Sequence, residues 1–145
     1  MAKAFRDTPI SEITLRKFER PLSESYDELL RRFCKSIGLL QVGDSRDIIV
    51  DILDILVKSA KSRRIVTAKE LESSLPRKEK GLAPSNIRRQ LSRLEKFGIV
   101  EKINKGYRIR EFMSLEELLK EYVKPFIIDP TFERILEYAK KIDSF

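Results

Sequence analysis

Between Gly81 and Arg110 the chain sets eight Lys and Arg against two Glu. The side chains of this stretch that can do chemistry are Ser85, Asn86, Arg88, Arg89, Ser92, Arg93 and Lys96, followed by Lys102, Lys105 and Arg108. Guanidinium and ammonium groups form charge-assisted hydrogen bonds with anions, and Ser and Asn add short-range donors and acceptors beside them. The chemistry of such a set is recognition of a polyanion. It is also local: from Lys61 to Arg110 there are 15 Lys and Arg against 5 Asp and Glu, a net of +10, which leaves 7 minus 10, or −3, on the other 95 residues. Total charge discriminates poorly among nucleic acid, an acidic protein and a membrane surface; a basic block on a net acidic remainder points to one surface built for the purpose.

Other chemistries are excluded by what is missing. The chain has no His, so His-based triads, His general bases and His metal ligands do not arise. One cysteine, Cys34, forms no internal disulfide and no Cys-rich zinc site, and its place beside Phe33 in an apolar helical pattern marks it as a buried structural thiol. There is no Gly-rich phosphate loop and no recognisable acid pair. The expectation is a non-enzymatic protein with no cofactor and no metal. No run of 18 apolar residues occurs and "MAKAFRDTPISE" lacks an apolar signal core, so no membrane association and a cytoplasmic location are expected.

The elements that must position the basic residues follow from periodicity. Residues 1–21 read as a polar arm, with Phe5, Ile10, Ile13, Leu15 and Phe18 available for docking. An N-terminal helical segment, 22–43, is expected to begin at a Ser23 cap and end near Gly38, before a break at "QVGDS". The next helix, from about Asp47 to Ala60, buries a wide stripe of Ile and Leu and carries Asp47, Asp51 and Asp54 on its other side, read as a solvated acidic face. Arg64 to Val66 fits a short strand, and Thr67 with Glu70 forms a capping box for a helix to about Leu75. A basic turn, "PRKEKGLA", precedes a helix from Pro84 to Phe97. On that helix Ile87, Leu91 and Leu94 form one apolar ridge, and at about 100° per residue Ser85, Arg89, Ser92, Arg93 and Lys96 fall opposite it. Gly98 ends the helix, and "IVEKI" and "YRIR" alternate as two strands joined by "NKG", with Tyr107 packed in the second.

This order resembles a winged helix-turn-helix domain, spanning about Asp47 to Arg110. Its most specific part, "SNIRRQLSRLEKFGIVEK", is similar to the recognition helix and first wing strand of archaeal and bacterial transcriptional regulators of the MarR and ArsR type, through Leu91, Leu94, Glu95, Gly98, Ile99 and Val100. The fold class implied is mainly α with a small β-hairpin: a winged helix-turn-helix core at 44–112 with additional N- and C-terminal helices. The turn "PRKEKGLA" is longer than that of a minimal helix-turn-helix and brings Arg77, Lys78 and Lys80 toward a phosphate backbone. The resemblance also implies a partner, double-stranded DNA. A major groove about 12 Å wide accepts one helix. Ser85, Asn86, Arg88 and Arg89 then stand near base edges, Arg89 suited to guanine and Asn86 to adenine, while Arg93, Lys96 and the hairpin's Lys102, Lys105 and Arg108 meet the backbone. A protein-interaction role for the same basic face, in a transcription or replication complex, is the competing expectation.

Residues 113–145 are expected to form two further helices. Ser114 and Glu117 make a capping box for the first, and Asp129 with Pro130 starts the second, which runs to about Ile142. Their apolar stripes, Leu115, Leu118, Leu119, Tyr122 and Val123, then Phe132, Ile135, Leu136 and Ala139, suit a dimer interface, and the expected state is a homodimer. Dense charge also hints at an archaeal source.

Overall fold

A computed structural model describes residues 7–41, 48–75 and 84–145. Phe5 of the arm, residues 42–45 of the "QVGDS" break, Asp47 and the basic turn with Arg77, Lys78 and Lys80 lie outside the described residues.

Helix α1 (Tyr26–Ser36) opens at Ser25, whose hydroxyl accepts the Glu28 N–H at 3.3 Å. Ser23 is therefore not the cap: Glu24 uses its carboxylate on the Leu22 N–H at 2.7 Å, and the chain turns into the helix one residue later. The other end of α1 is closed by the arm. Arg16 donates its backbone N–H to the Ser36 carbonyl at 2.8 Å and its guanidinium to the carbonyls of Lys35 (2.8 Å) and Leu40 (3.3 Å). A cation on the open carbonyls of a helix C-terminus satisfies groups that the helix cannot, and it complements the macrodipole.

Helix α2 (Ile48–Lys61) is the centre of the core. Ile48, Ile49, Val50, Ile52, Leu53 and Leu56 are all buried, and the helix packs against α1, α4 and the sheet. Its acidic side is not a solvated face. Asp51 and Asp54 are half-buried, and Asp54 accepts a bond from Lys58 at 3.1 Å. Tyr26 of α1 lies against the same carboxylate. Burial first, then the hydrogen bond with Asp54 and its charge, pushes the Tyr26 hydroxyl up to about 12, so it stays protonated as a donor.

Strand β1 (Val66–Thr67) leads directly into α3 (Ala68–Ser74). The expected capping box is present: Thr67 Oγ1 accepts the Glu70 N–H at 3.1 Å and the Glu70 carboxylate accepts the Thr67 N–H at 3.2 Å. Helix α4 (Pro84–Phe97) buries Ile87, Leu91 and Leu94, together with Gln90 and Phe97. Strands β2 (Val100–Ile103) and β3 (Gly106–Ile109) form a tight antiparallel hairpin around Asn104 and Lys105, and β1 adds to its far side, giving one sheet in the order β1-β3-β2. Gly106 is required where β1 crosses: a Cβ there would run into Ile65. Tyr107 and Cys34 are both buried, as expected.

The C-terminal segment starts its two helices where expected, at Ser114 and Asp129, but joins them without a break. A single-turn helix, α5 (Leu115–Leu118), capped by Ser114, runs on through a π-helical stretch, Leu119–Ile128, into α6 (Asp129–Asp143) with helical backbone at each junction. Asp129 caps nothing. Its carboxylate pairs with Lys124 at 3.3 Å instead. The wider π winding accommodates Pro125, whose ring would clash with the preceding turn of a regular α-helix and whose nitrogen has no proton to donate. Leu118 and Val123 join the core; α6 contributes no buried residue.

Candidate functional site

Helix α4 is held from three sides, which fixes the direction of its remaining face. Ile87, Leu91 and Leu94 lock it onto the core, α3 packs across it, and β2 leaves its end after the Gly98 turn. Gly98 has φ +92° and sits so close to Tyr122 that a Cβ would fall 2.6 Å from the ring, so both backbone conformation and space call for glycine. On the outward side Ser85, Arg88, Arg89 and Lys96 are exposed, and Asn86, Ser92 and Arg93 are half-buried. On the hairpin Lys102 and Lys105 are exposed while Arg108 is half-buried.

These cations divide by what they touch. Arg89 reaches one turn back and donates to Asn86 Oδ1 at 2.6 Å, a side-chain pair exposed along the first turns of α4. Asn86 also accepts from Gln90 Nε2 at 3.2 Å, and the buried Gln90 in turn accepts from Arg93 at 2.7 Å. A polar chain thus runs along the helix from its surface inward. Arg93 ends it, because its guanidinium also donates to the carbonyls of Leu39 (2.9 Å) and Gly38 (3.5 Å) beyond α1. The guanidinium expected to meet a phosphate is committed to the protein's own backbone.

The hairpin holds a second committed cluster, centred on Glu101. Arg108 donates to its carboxylate through Nε at 2.7 Å and Nη2 at 2.6 Å, Arg110 approaches it at 3.5 Å, and the Glu111 N–H donates to it at 3.0 Å. Partial burial pushes this carboxyl up; the Glu111 N–H, then Arg108 and Arg110, more than offset that and hold it below its ordinary value. Arg110 further donates to the Gly98 carbonyl at 3.1 Å and lies 3.8 Å from the centre of the Tyr122 ring. Arg108 stacks on Phe112 at 4.7 Å. The charge of Arg108 is largely met within the fold. Lys105 at the turn and Lys102, whose ammonium lies 5.8 Å from the Tyr107 ring, remain at the surface.

Of the ten residues singled out by sequence, the structure therefore gathers Ser85, Arg88, Arg89 and Lys96 on the exposed face of α4, with Asn86 and Ser92 half-buried beside them, and leaves Lys102 and Lys105 on the hairpin. It ties Arg93 and Arg108 inward. Glu101 and Gln90 escaped notice although each decides how a neighbour points, and Arg110, read only as one of the hairpin's cations, joins Arg108 on Glu101. For Glu101 a signal existed: a two-residue turn at Asn104 and Lys105 sets Glu101 opposite Arg108, and opposite charges at facing positions of a hairpin pair. No such local signal exists for Arg93, whose carbonyl partners lie 54 and 55 positions away in sequence.

Among the described residues no group of three or more His, Cys, Asp or Glu is placed to hold a metal, and no helix is long and apolar enough to cross a membrane. No family model, curated protein or solved structure matches the chain.

Proposed function

We propose that this chain is a sequence-specific, double-stranded-DNA-binding transcriptional regulator of the winged helix-turn-helix type. Its α4 lies in the major groove and its β2-β3 hairpin on the adjacent backbone or minor groove. The observation that carries the reading is the outward face of α4, where Ser85, Arg88, Arg89 and Lys96 are exposed on a helix whose opposite side is locked into the core. The order α2-β1-α3-α4-β2-β3 supports it, since it sets a helix pair ahead of a two-stranded extension that carries Lys102 and Lys105.

The roles follow from the geometry of the contacts. Arg89 and Asn86, already paired, offer a planar donor fork and an amide to base edges, each good bidentate contact discriminating by about 1 to 3 kcal/mol. Arg88 and Lys96 flank them toward the phosphates, and Lys105 adds affinity that does not depend on sequence. Arg93 and Arg108 serve as positioning residues in this scheme, because their charge is spent inside the fold. A palindromic operator would match a chain that acts as a homodimer.

The test is a titration of random and site-selected duplexes with wild type, Arg88→Ala/Arg89→Ala and Arg93→Ala at about 50 and 200 mM salt, a range over which phosphate-based binding weakens steeply. Expected is salt-dependent binding that falls at least a hundredfold in the Arg88/Arg89 variant on the selected site. In Arg93→Ala, binding per folded molecule is retained. Absence of duplex binding by the wild type at the lower salt would overturn the reading and assign the basic face to an acidic protein partner.

A further inference from the structure

Beside the end of α4 lies a hollow of about 410 Å³, within the size range of ligand sites. Three parts of the chain wall it: the arm at Ile10 and Ser11, α4 at Lys96, and the π-helical stretch with α6 from Phe126 to Tyr138. Among the described residues no carboxylate lines it, whereas the hollow on the other flank of α6 carries Glu133, Glu137 and Asp143. Its two cations, Lys96 and Arg134, are exposed. Lys96 makes no ion pair among the described residues. Glu137 engages Arg134 through Nε at 2.7 Å, which leaves the terminal nitrogens of the guanidinium to a further anion.

The aromatic part of the wall is held in place from behind. Arg110 lies 3.8 Å from the centre of the Tyr122 ring, and Gly98 packs closely against the same ring. Phe126 rests on Tyr122 with ring centroids 5.3 Å apart and planes inclined by 34°, yet it is itself 65% exposed. Tyr138 of α6, also largely exposed, lines the same hollow. Two aromatic rings are thus kept open to water beside two cations. An aliphatic partner would cover the rings and leave the cations without a counter-charge; a flat base carried on a phosphate engages both.

We propose that this hollow holds an unpaired nucleotide of a single-stranded nucleic acid, its base stacked on Phe126 and its phosphate between Lys96 and Arg134. Every base has a π face, so a site of this kind accepts a strand with little regard to sequence. Tyr138 offers a second ring to the same base or to its neighbour. Lys96 is the last cation on the outward side of α4, so the hollow continues that side rather than standing apart from it. The inference goes beyond the duplex reading and shares only Lys96 with it: a duplex presents its bases by their edges, and Phe126 presents a ring face.

The experiment is a fluorescence-anisotropy titration of a labelled oligothymidylate with the full chain as wild type, Phe126→Leu and Phe126→Trp, with thermal midpoints measured on all three. Expected is binding that weakens about tenfold in Phe126→Leu, in the range for one stacked base, and is kept or tightened in Phe126→Trp. The midpoints are expected to stay together, because Phe126 is mostly exposed. Lys96→Gln is expected to lower the salt slope by about 0.7, the share of one single-strand phosphate. With one thymine replaced by a photoreactive iodouracil, irradiation is expected to cross-link the strand to Phe126 or Tyr138. Duplex affinity is expected to be the same in Phe126→Leu as in wild type, so that failure of this site and failure of duplex binding are separate results. A wild type that does not bind the oligonucleotide, a Phe126→Leu chain that binds it as tightly, cross-links confined to α4 or the hairpin, or thymidine monophosphate competing as well as the strand would each overturn the proposal.

Discussion

Arg88 and Arg93 lie five residues apart on one helix and have opposite fates. Arg88 stands exposed beside Ser85 and Arg89, while Arg93 bends back to Gln90 and to the carbonyls that follow α1. The hairpin repeats the contrast: Lys102 and Lys105 face outward, and Arg108 and Arg110 gather on Glu101. Within a segment that looks uniformly basic, three of the eight Lys and Arg, namely Arg93, Arg108 and Arg110, are therefore structural mortar. The rest is available to a partner. Counting Lys and Arg overstates a binding surface wherever carbonyls or a carboxylate lie within reach, because the fold's own acceptors engage a guanidinium's donors before a phosphate arrives.

Removing one charge from each group tests this division, and the largest effect on stability is expected at Arg93. Arg93→Ala deprives Gln90 and two carbonyls of their donor, which costs about 1 to 3 kcal/mol, toward the lower end because the side chain is half-exposed. The measurement is urea denaturation beside Arg88→Ala, for which a change within about 0.5 kcal/mol is expected. Equal losses in the two variants would erase the distinction.

Glu101→Gln comes next, expected to cost about 0.5 to 1 kcal/mol at neutral pH by weakening the charge-assisted bonds to Arg108 and Arg110 while keeping acceptors for them. Its sign with pH is fixed by the carboxyl's lowered folded value. The stabilisation is complete above the ordinary Glu range and is lost as pH falls through the folded value, so wild type and variant converge in acid. Denaturation curves across the acid range check this; a gap that widens on acidification would contradict the Glu101-centred cluster. The same variant sharpens the comparison from the other side: with Arg108 released, duplex affinity is expected to rise a fewfold.

Lys105→Ala is expected to have the smallest effect. One lost phosphate contact lowers the salt slope of duplex binding by about 0.9 and the affinity only a fewfold, uniformly across sequences, with no change in thermal midpoint. A sequence-selective loss would move Lys105 from backbone positioning to base reading.

Much of the framework was legible in local patterns. The Thr67 and Glu70 capping box, the apolar ridge of α4, its stop at Gly98 and the hairpin turn all rest on interactions between residues a few positions apart. The places where reading failed are those where neighbours compete or partners are distant. Ser25 rather than Ser23 caps α1, its hydroxyl accepting the Glu28 N–H, and Asp54 is half-buried with Tyr26 of α1 hydrogen-bonded to it. Asp129 and Pro130 open α6 as expected; what local signals did not show is the π-helical stretch around Pro125 that leads into it without a break.

By itself, then, the sequence determined which residues are helical or extended and which side of each element is apolar, because periodicity and caps act within one or two turns. Which cations remain free to meet a partner was decided by the tertiary structure, apart from Arg108, which the hairpin register already sets opposite Glu101. A guanidinium chooses between solvent and a carbonyl or carboxylate only when folding brings that acceptor within 3 Å or so, as it does for Arg93 from 54 residues away.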